Sequence, residues 1–106
     1  MPEKRRWPRK RRRLTVEFNW DKAACTGFTY DICPSSLFIR SARIPKVGAR
    51  LAIKIILPDE TRIPISGAVV RSFRVPSSLA RVIPSGFCLK ILDRTPESFL
   101  TYLAAI

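Results

Sequence analysis

The run KVGARLAIKIILPDETRIPISGAVVR, residues 46–71, decides the fold. From Arg50 to Leu57 it alternates. Leu51, Ile53, Ile55 and Leu57 share one face, and Ala52, Lys54 and Ile56 share the other. A period of two marks a half-buried strand, whereas a helix would repeat its apolar residues every three or four positions. Pro58-Asp59-Glu60 reads as a tight turn. Residues 61–75 are predicted to form the return strand of a hairpin, with Ile63, Ile65, Gly67 and Val69 on one face. Pro64 falls on the opposite face. It has no N–H to give to a ladder, which implies an edge position or a bulge.

Working outward, residues 76–85 (PSSLARVIPS) read as a loop. Gly86 to Leu92 is a further strand, with Phe87, Leu89 and Ile91 alternating against Cys88, Lys90 and Leu92. A short C-terminal helix is predicted over about residues 96–104, with Pro96 in its first turn, Asp93 or Thr95 as cap, and Phe99, Leu100 and Leu103 as its apolar stripe. Upstream, Leu14 to Phe18 alternates as a first strand, with Trp20 just past it. Asp21-Lys22 starts a turn, Ala23-Ala24-Cys25 fits either an extended segment or a loop, and Gly27 punctuates. Phe28 to Ile32 is a second strand, rich in aromatic and β-branched residues. Pro34-Ser35-Ser36 breaks it, Leu37-Phe38-Ile39 is a third strand, and Ala42 to Gly48 is a connection. Many short antiparallel strands and one helix imply an all-β chain closed as a small barrel, because closure leaves the fewest open edges.

The charge is polarised. Residues 1–13, MPEKRRWPRKRRR, hold eight Lys or Arg against Glu3, a net +7, and the remaining +5 of the formal +12 is spread over residues 14–106. Pro2 and Pro8 oppose a helix, so the stretch reads as a flexible basic arm, residues 1–13, ahead of a domain over residues 14–106. Such asymmetry favours a polyanionic partner. The chain has no His, and its three cysteines, Cys25, Cys33 and Cys88, form no metal-ligand spacing. Neither a metal nor a cofactor is expected. Reduced, buried thiols suit a cytoplasmic protein. No apolar stretch follows the basic N-terminus as in a secretory signal, and no run is long enough to insert in a membrane. Scattered carboxylates and the lack of a Gly-rich phosphate loop or a nucleophile–base pair argue for a binding module rather than an enzyme.

Arginine is suited to such binding. Its planar fork grips a phosphate, or the O6/N7 edge of guanine, through two hydrogen bonds, and its flat face stacks on bases. Arg5 and Arg9 flank Trp7-Pro8 and could converge on one ligand, since Pro8 limits the freedom of the segment. The stretch Arg5-Arg6-Trp7-Pro8-Arg9 resembles the arginine motif RxxxR of PilZ domains. The run Asp31-Ile32-Cys33-Pro34-Ser35-Ser36 resembles that family's second signature, Asp or Asn, any residue, Ser, two residues, Gly. Residues 46–71 resemble its long hairpin, and SGFCLKILDRTPESFLTYL resembles its last strand and helix. The resemblance spans nearly the whole chain.

The resemblance implies a six-stranded antiparallel β-barrel, a PilZ-like split barrel, that acts without catalysis as a receptor for the bacterial second messenger cyclic di-GMP and signals to an effector protein. It implies that Arg5 and Arg9, with Arg6 beside them, engage guanine edges and phosphates. It implies that Asp31 accepts from the N1 and N2 donors of a guanine, with Cys33 and Ser36 completing that wall. Trp7, Lys10, Arg40 and Arg71 are accessory candidates. Two positions depart from the pattern. Cys33 replaces Ser, and a thiol is the weaker partner by roughly 1 kcal/mol. Ser36 replaces Gly, and its Cβ costs about 1 kcal/mol if the backbone there needs a positive φ. These departures motivate an alternative, a PilZ-like module that binds proteins and no nucleotide. A small RNA- or DNA-binding barrel ranks third, because no strand interleaves basic and aromatic residues.

Overall fold

Alternation along residues 50–56 carries directly into the computed structural model, which describes residues 10–76, 78 and 85–106. Strand β5 (Arg50–Ile56) buries Leu51, Ile53 and Ile55 and turns Ala52 and Lys54 outward. The chain reverses through Leu57–Glu60, where the Glu60 N–H donates to the Leu57 carbonyl (2.8 Å). The Thr61 N–H donates to Asp59 Oδ1 (3.0 Å), and that backbone bond holds the Asp59 carboxyl below its ordinary value. Strand β6 (Arg62–Phe73) then returns beside β5, from Ile56 opposite Arg62 to Arg50 opposite Ala68. Pro64 faces Lys54 in a stretch of β6 that β7 (Gly86–Ile91) does not reach, since their register begins at Gly67 opposite Ile91. The proline therefore sits at an edge. The register shift in β6 falls later, between Val69 and Arg71.

The remaining strands are β1 (Lys10–Arg11), β2 (Thr15–Trp20), β3 (Ala23–Cys33) and β4 (Ser36–Arg40). All pairings are antiparallel. The order β3-β2-β5-β6-β7-β4 closes through β4 onto β3, a six-stranded barrel, and β1 is an extra strand on β3. Val16, Ile39, Ile55, Ile63, Phe87 and Leu89 are fully buried inside it.

Several boundaries differ from those expected. Trp20 lies inside β2. The next two residues, Asp21 and Lys22, both have positive φ (55° and 65°), as in a two-residue hairpin turn that matches strand twist. Ala23-Ala24-Cys25 continues as strand, so the expected second strand is the far half of an eleven-residue β3. Gly27 does not interrupt it. A Cβ there would lie 2.6 Å from the Arg40 carbonyl oxygen, so this glycine permits β3 and β4 to approach closely. The basic arm also ends sooner than expected: Lys10 and Arg11 pair with Ile32 and Asp31 as a strand. Residues 1–9 of the expected arm, and the part of the 76–85 loop formed by Ser77 and residues 79–84, lie outside the described residues.

Helix α1 (Glu97–Ala105) follows Pro96 and has no side-chain cap. The Thr95 hydroxyl instead donates to the Pro34 carbonyl in the β3–β4 turn (2.7 Å). Phe99 and Leu103 are buried in the barrel core, while Leu100 is 39% exposed and leaves the expected stripe. Burying two such side chains contributes about 1.5–3 kcal/mol each, more than the roughly 1 kcal/mol of a missing cap. At the far end Lys10 Nζ donates to the Ile106 carbonyl (2.6 Å), joining β1 to the end of the helix. No helix among the described residues is long and apolar enough to cross a membrane.

Candidate functional site

The outer face of β3 is shaped by an irregularity. Strict alternation would place one outward residue between buried Thr29 and buried Ile32; there are two, Tyr30 and Asp31. The register against β4 shifts between Thr29 and Asp31, so Tyr30 is an inserted, bulged residue. Tyr30 and Asp31 therefore sit side by side, and Arg11 on β1 meets both. Its guanidinium carbon lies 4.6 Å from the Tyr30 ring centre, and its Nε lies 3.4 Å from Asp31 Oδ1. Arg11 is 72% exposed and Asp31 only 20%, so solvent screening keeps this ion pair below about 1 kcal/mol.

Two residues on, Arg13 lies over Phe28, 4.0 Å from guanidinium carbon to ring centre. The backbone between the two arginines is held by Thr29, the one buried polar residue among those described. Its hydroxyl donates to the Arg12 carbonyl (2.5 Å) and accepts from the Leu14 N–H (2.8 Å). β1 and β2 share the same edge of β3, and Thr29 bridges the gap between them. Thr29→Val keeps the shape but strands both backbone groups. It is expected to cost about 1–3 kcal/mol in urea unfolding and to speed hydrogen exchange at the Leu14 amide.

Over Phe28 the surface becomes a cavity of about 770 Å³, lined by Arg11, Arg12, Arg13, Phe28, Tyr30 and Arg40, and also by Thr26, Thr29, Ser41, Ala42 and Ser85. That volume lies in the range of small-molecule sites. Below Asp31, aromatic side chains continue around the barrel: Tyr30 meets Phe38 edge-on (5.8 Å), and Phe38 meets Phe73 (5.7 Å).

The structure distributes the expected site residues that it describes over four places. Asp31 stands beside Arg11, and Lys10 is the residue opposite Ile32. Cys33 and Ser36 face each other across the β3–β4 turn. The Cys33 thiol is 7% exposed and lies 3.4 Å from Ser36 Oγ and 3.6 Å from Ser35 Oγ. Burial pushes the thiol up, but its hydrogen bonds with Ser36 and Ser35 outweigh burial and bring it below its ordinary value. Ser36 needs no positive φ: among described non-glycine residues only Asp21, Lys22 and Glu60 have one. The backbone strain conditionally expected there does not arise.

Arg40 lines the cavity, opposite Phe28. Arg71 pairs with Cys88, and Cys88 pairs with Phe38. It thus lies three strands from Asp31, about 14 Å around the barrel. Arg5, Arg6, Trp7 and Arg9 lie outside the described residues. The sequence singles out none of Arg11, Arg12, Arg13, Phe28, Thr29 and Tyr30, which it places in the basic arm and in an ordinary strand. The one local signal was the three-residue spacing from Thr29 to Ile32, which breaks the period of two.

The barrel and its helix define a PilZ-like fold. Two solved structures carry that conclusion. The PilZ domain of YcgR from Escherichia coli, a structure with c-di-GMP, superposes with a TM-score of 0.74 at 12% identity, covering 97% of this chain and 91% of that one. The Bacillus subtilis inhibitor of motility MotI/DgrA superposes with a TM-score of 0.77 at 18% identity, covering 98% of this chain and 51% of that one. The chain therefore spans about half the length of the latter protein. No family model matches the sequence. No curated protein matches it at a significant level.

Proposed function

We propose that this chain is a non-catalytic, cytoplasmic binding module for cyclic di-GMP that signals to an effector protein. The observation that carries the reading is where the basic segment joins the barrel. It enters β1 at Lys10, opposite Ile32, which puts the attachment point of Arg5-Arg6-Trp7-Pro8-Arg9 beside the Asp31–Ser36 run. Asp31 offers a carboxylate to the donor edge of a guanine, and the motif arginines offer forks to its acceptor edge and to phosphate. The similar PilZ domain of YcgR has c-di-GMP in its structure, which supports the choice of ligand.

Calorimetric titration with cyclic di-GMP, with GTP as control, tests it: saturable binding in the micromolar range or tighter is expected. One observation favours a second reading, a module that binds protein and no nucleotide. The Cys33 thiol is turned into its own turn, engaged with Ser35 and Ser36. Cys33→Ser separates the two. On the first reading the hydroxyl adds a hydrogen bond of about 1 kcal/mol and tightens binding roughly fivefold. On the second, neither protein gives heat with the dinucleotide.

A further inference from the structure

The cavity above Phe28 is not explained by the arginine motif or by the Asp31–Ser36 run. Its described lining includes four guanidiniums, those of Arg11, Arg12, Arg13 and Arg40, and no carboxylate. Two of these guanidiniums lie over aromatic rings, Arg13 over Phe28 and Arg11 over Tyr30. Phe28 and Tyr30 are two residues apart on β3, about 7 Å. A guanidinium laid on a ring still offers its other flat face, and that face is a platform for a base. Arg40 remains for phosphate, as do the nitrogens of Arg12 other than the Nη1 that donates to the Arg11 carbonyl (2.8 Å), and Thr26, Ser41 and Ser85 supply hydroxyls for sugar or backbone oxygens.

From this geometry we infer that the cavity is a binding site for single-stranded nucleic acid, taking unpaired bases on the Arg11 and Arg13 planes and backbone phosphate on Arg12 and Arg40. The interleaving of basic and aromatic residues that no single strand of the sequence displays is assembled here between residues 11–13 and residues 28–30. An anionic lipid surface would use the charge but has no π-face for the stacked planes. A duplex keeps its bases paired and stacked away from them. The site shares no motif residue with the proposed dinucleotide site, although Arg11 pairs with Asp31 and Arg40 is an accessory candidate there, so Phe28 and Arg13, which belong to neither motif nor accessory set, distinguish the two.

The test is fluorescence anisotropy on the full chain with a fluorescein-labelled ten-nucleotide oligouridine, a duplex of the same length, and phosphatidylglycerol vesicles as competitor. The single strand is expected to bind more tightly than the duplex. The pair Phe28→Leu with Arg13→Lys keeps the net charge and removes one platform. It is expected to weaken single-strand binding about tenfold, with the cyclic di-GMP titration unmoved. Arg40→Gln, on an exposed side chain, supplies a variant that leaves the barrel undisturbed. It is expected to make the dependence of log affinity on log salt shallower by about 0.7. Equal affinity for duplex and single strand, equal binding by the charge-preserving pair, or full displacement by vesicles at matched phosphate would overturn the inference.

Discussion

Gly86→Ala is expected to lower the unfolding free energy by about 3 kcal/mol or more, the upper range for forcing atoms into a packed interior. Gly86 opens β7 with a strand on either side, Arg40 of β4 opposite it on one flank and Phe73 of β6 on the other. A Cβ there would lie 2.1 Å from the Ile39 carbonyl oxygen, 2.9 Å from its carbon and 3.0 Å from the Arg40 Cα. All three are backbone atoms, so no rotamer change can relieve the overlap. β4 must move off β7, and these two strands carry Ile39, Phe87 and Leu89 into the centre of the core. Urea unfolding measures the loss. A change under about 1 kcal/mol would mean that the ring opens at this point far more easily than interior packing density allows.

The second large effect falls on ligand binding and rests on the proposed function. Arg9→Ala is expected to weaken cyclic di-GMP binding by well over tenfold, and Asp31→Ala by a similar factor. A charged hydrogen bond is worth about 1.5–3 kcal/mol, and a two-bond contact to a base edge about 1–3 kcal/mol, so loss of either spans one to two decades. Arg11 gives a control. It pairs with Asp31 and lies over Tyr30, so Arg11→Gln removes a solvent-screened ion pair of small value and leaves the Asp31 carboxylate in place for the ligand. Thermal unfolding of Asp31→Ala, run beside the calorimetry, separates loss of the ligand from any loss of the fold. Unchanged affinity in Arg9→Ala would remove that residue from the site.

The two variants separate what could be read from the chain and what could not. The hairpin of residues 50–73 was legible because one face is buried and the other wet, and that contrast writes period two into the residues themselves. The final strand was legible for the same reason. β3 was read as two pieces because Gly27 looks like punctuation; its true reason is the Arg40 carbonyl, thirteen positions away in sequence and adjacent only after folding. The bulge at Tyr30 depends on the register against β4, which no local window contains. Thr95 looked like a helix cap, but the Pro34 carbonyl offers its hydroxyl a tertiary partner. At the candidate site, Asp31, Cys33 and Ser36 could be picked out because their run resembles a short signature of PilZ domains. The pairs Arg13 with Phe28 and Arg11 with Tyr30 could not, because β1 was hidden inside what reads as an undifferentiated basic run.

Pro64 has a meaning beyond its own ladder. Among the described residues, no strand pairs with β6 from Arg62 to Ile65 on its β7 side or with β1 on the side away from β3. Bare strand of this kind is a template on which another polypeptide can add itself and start a growing fibre. The first stretch carries Arg62 and Pro64, a charge and a residue with no N–H, and the second carries Lys10 and Arg11. A charge, and a residue that cannot donate, are the devices by which strand edges discourage amyloid-like recruitment, and among the described residues these two stretches carry them.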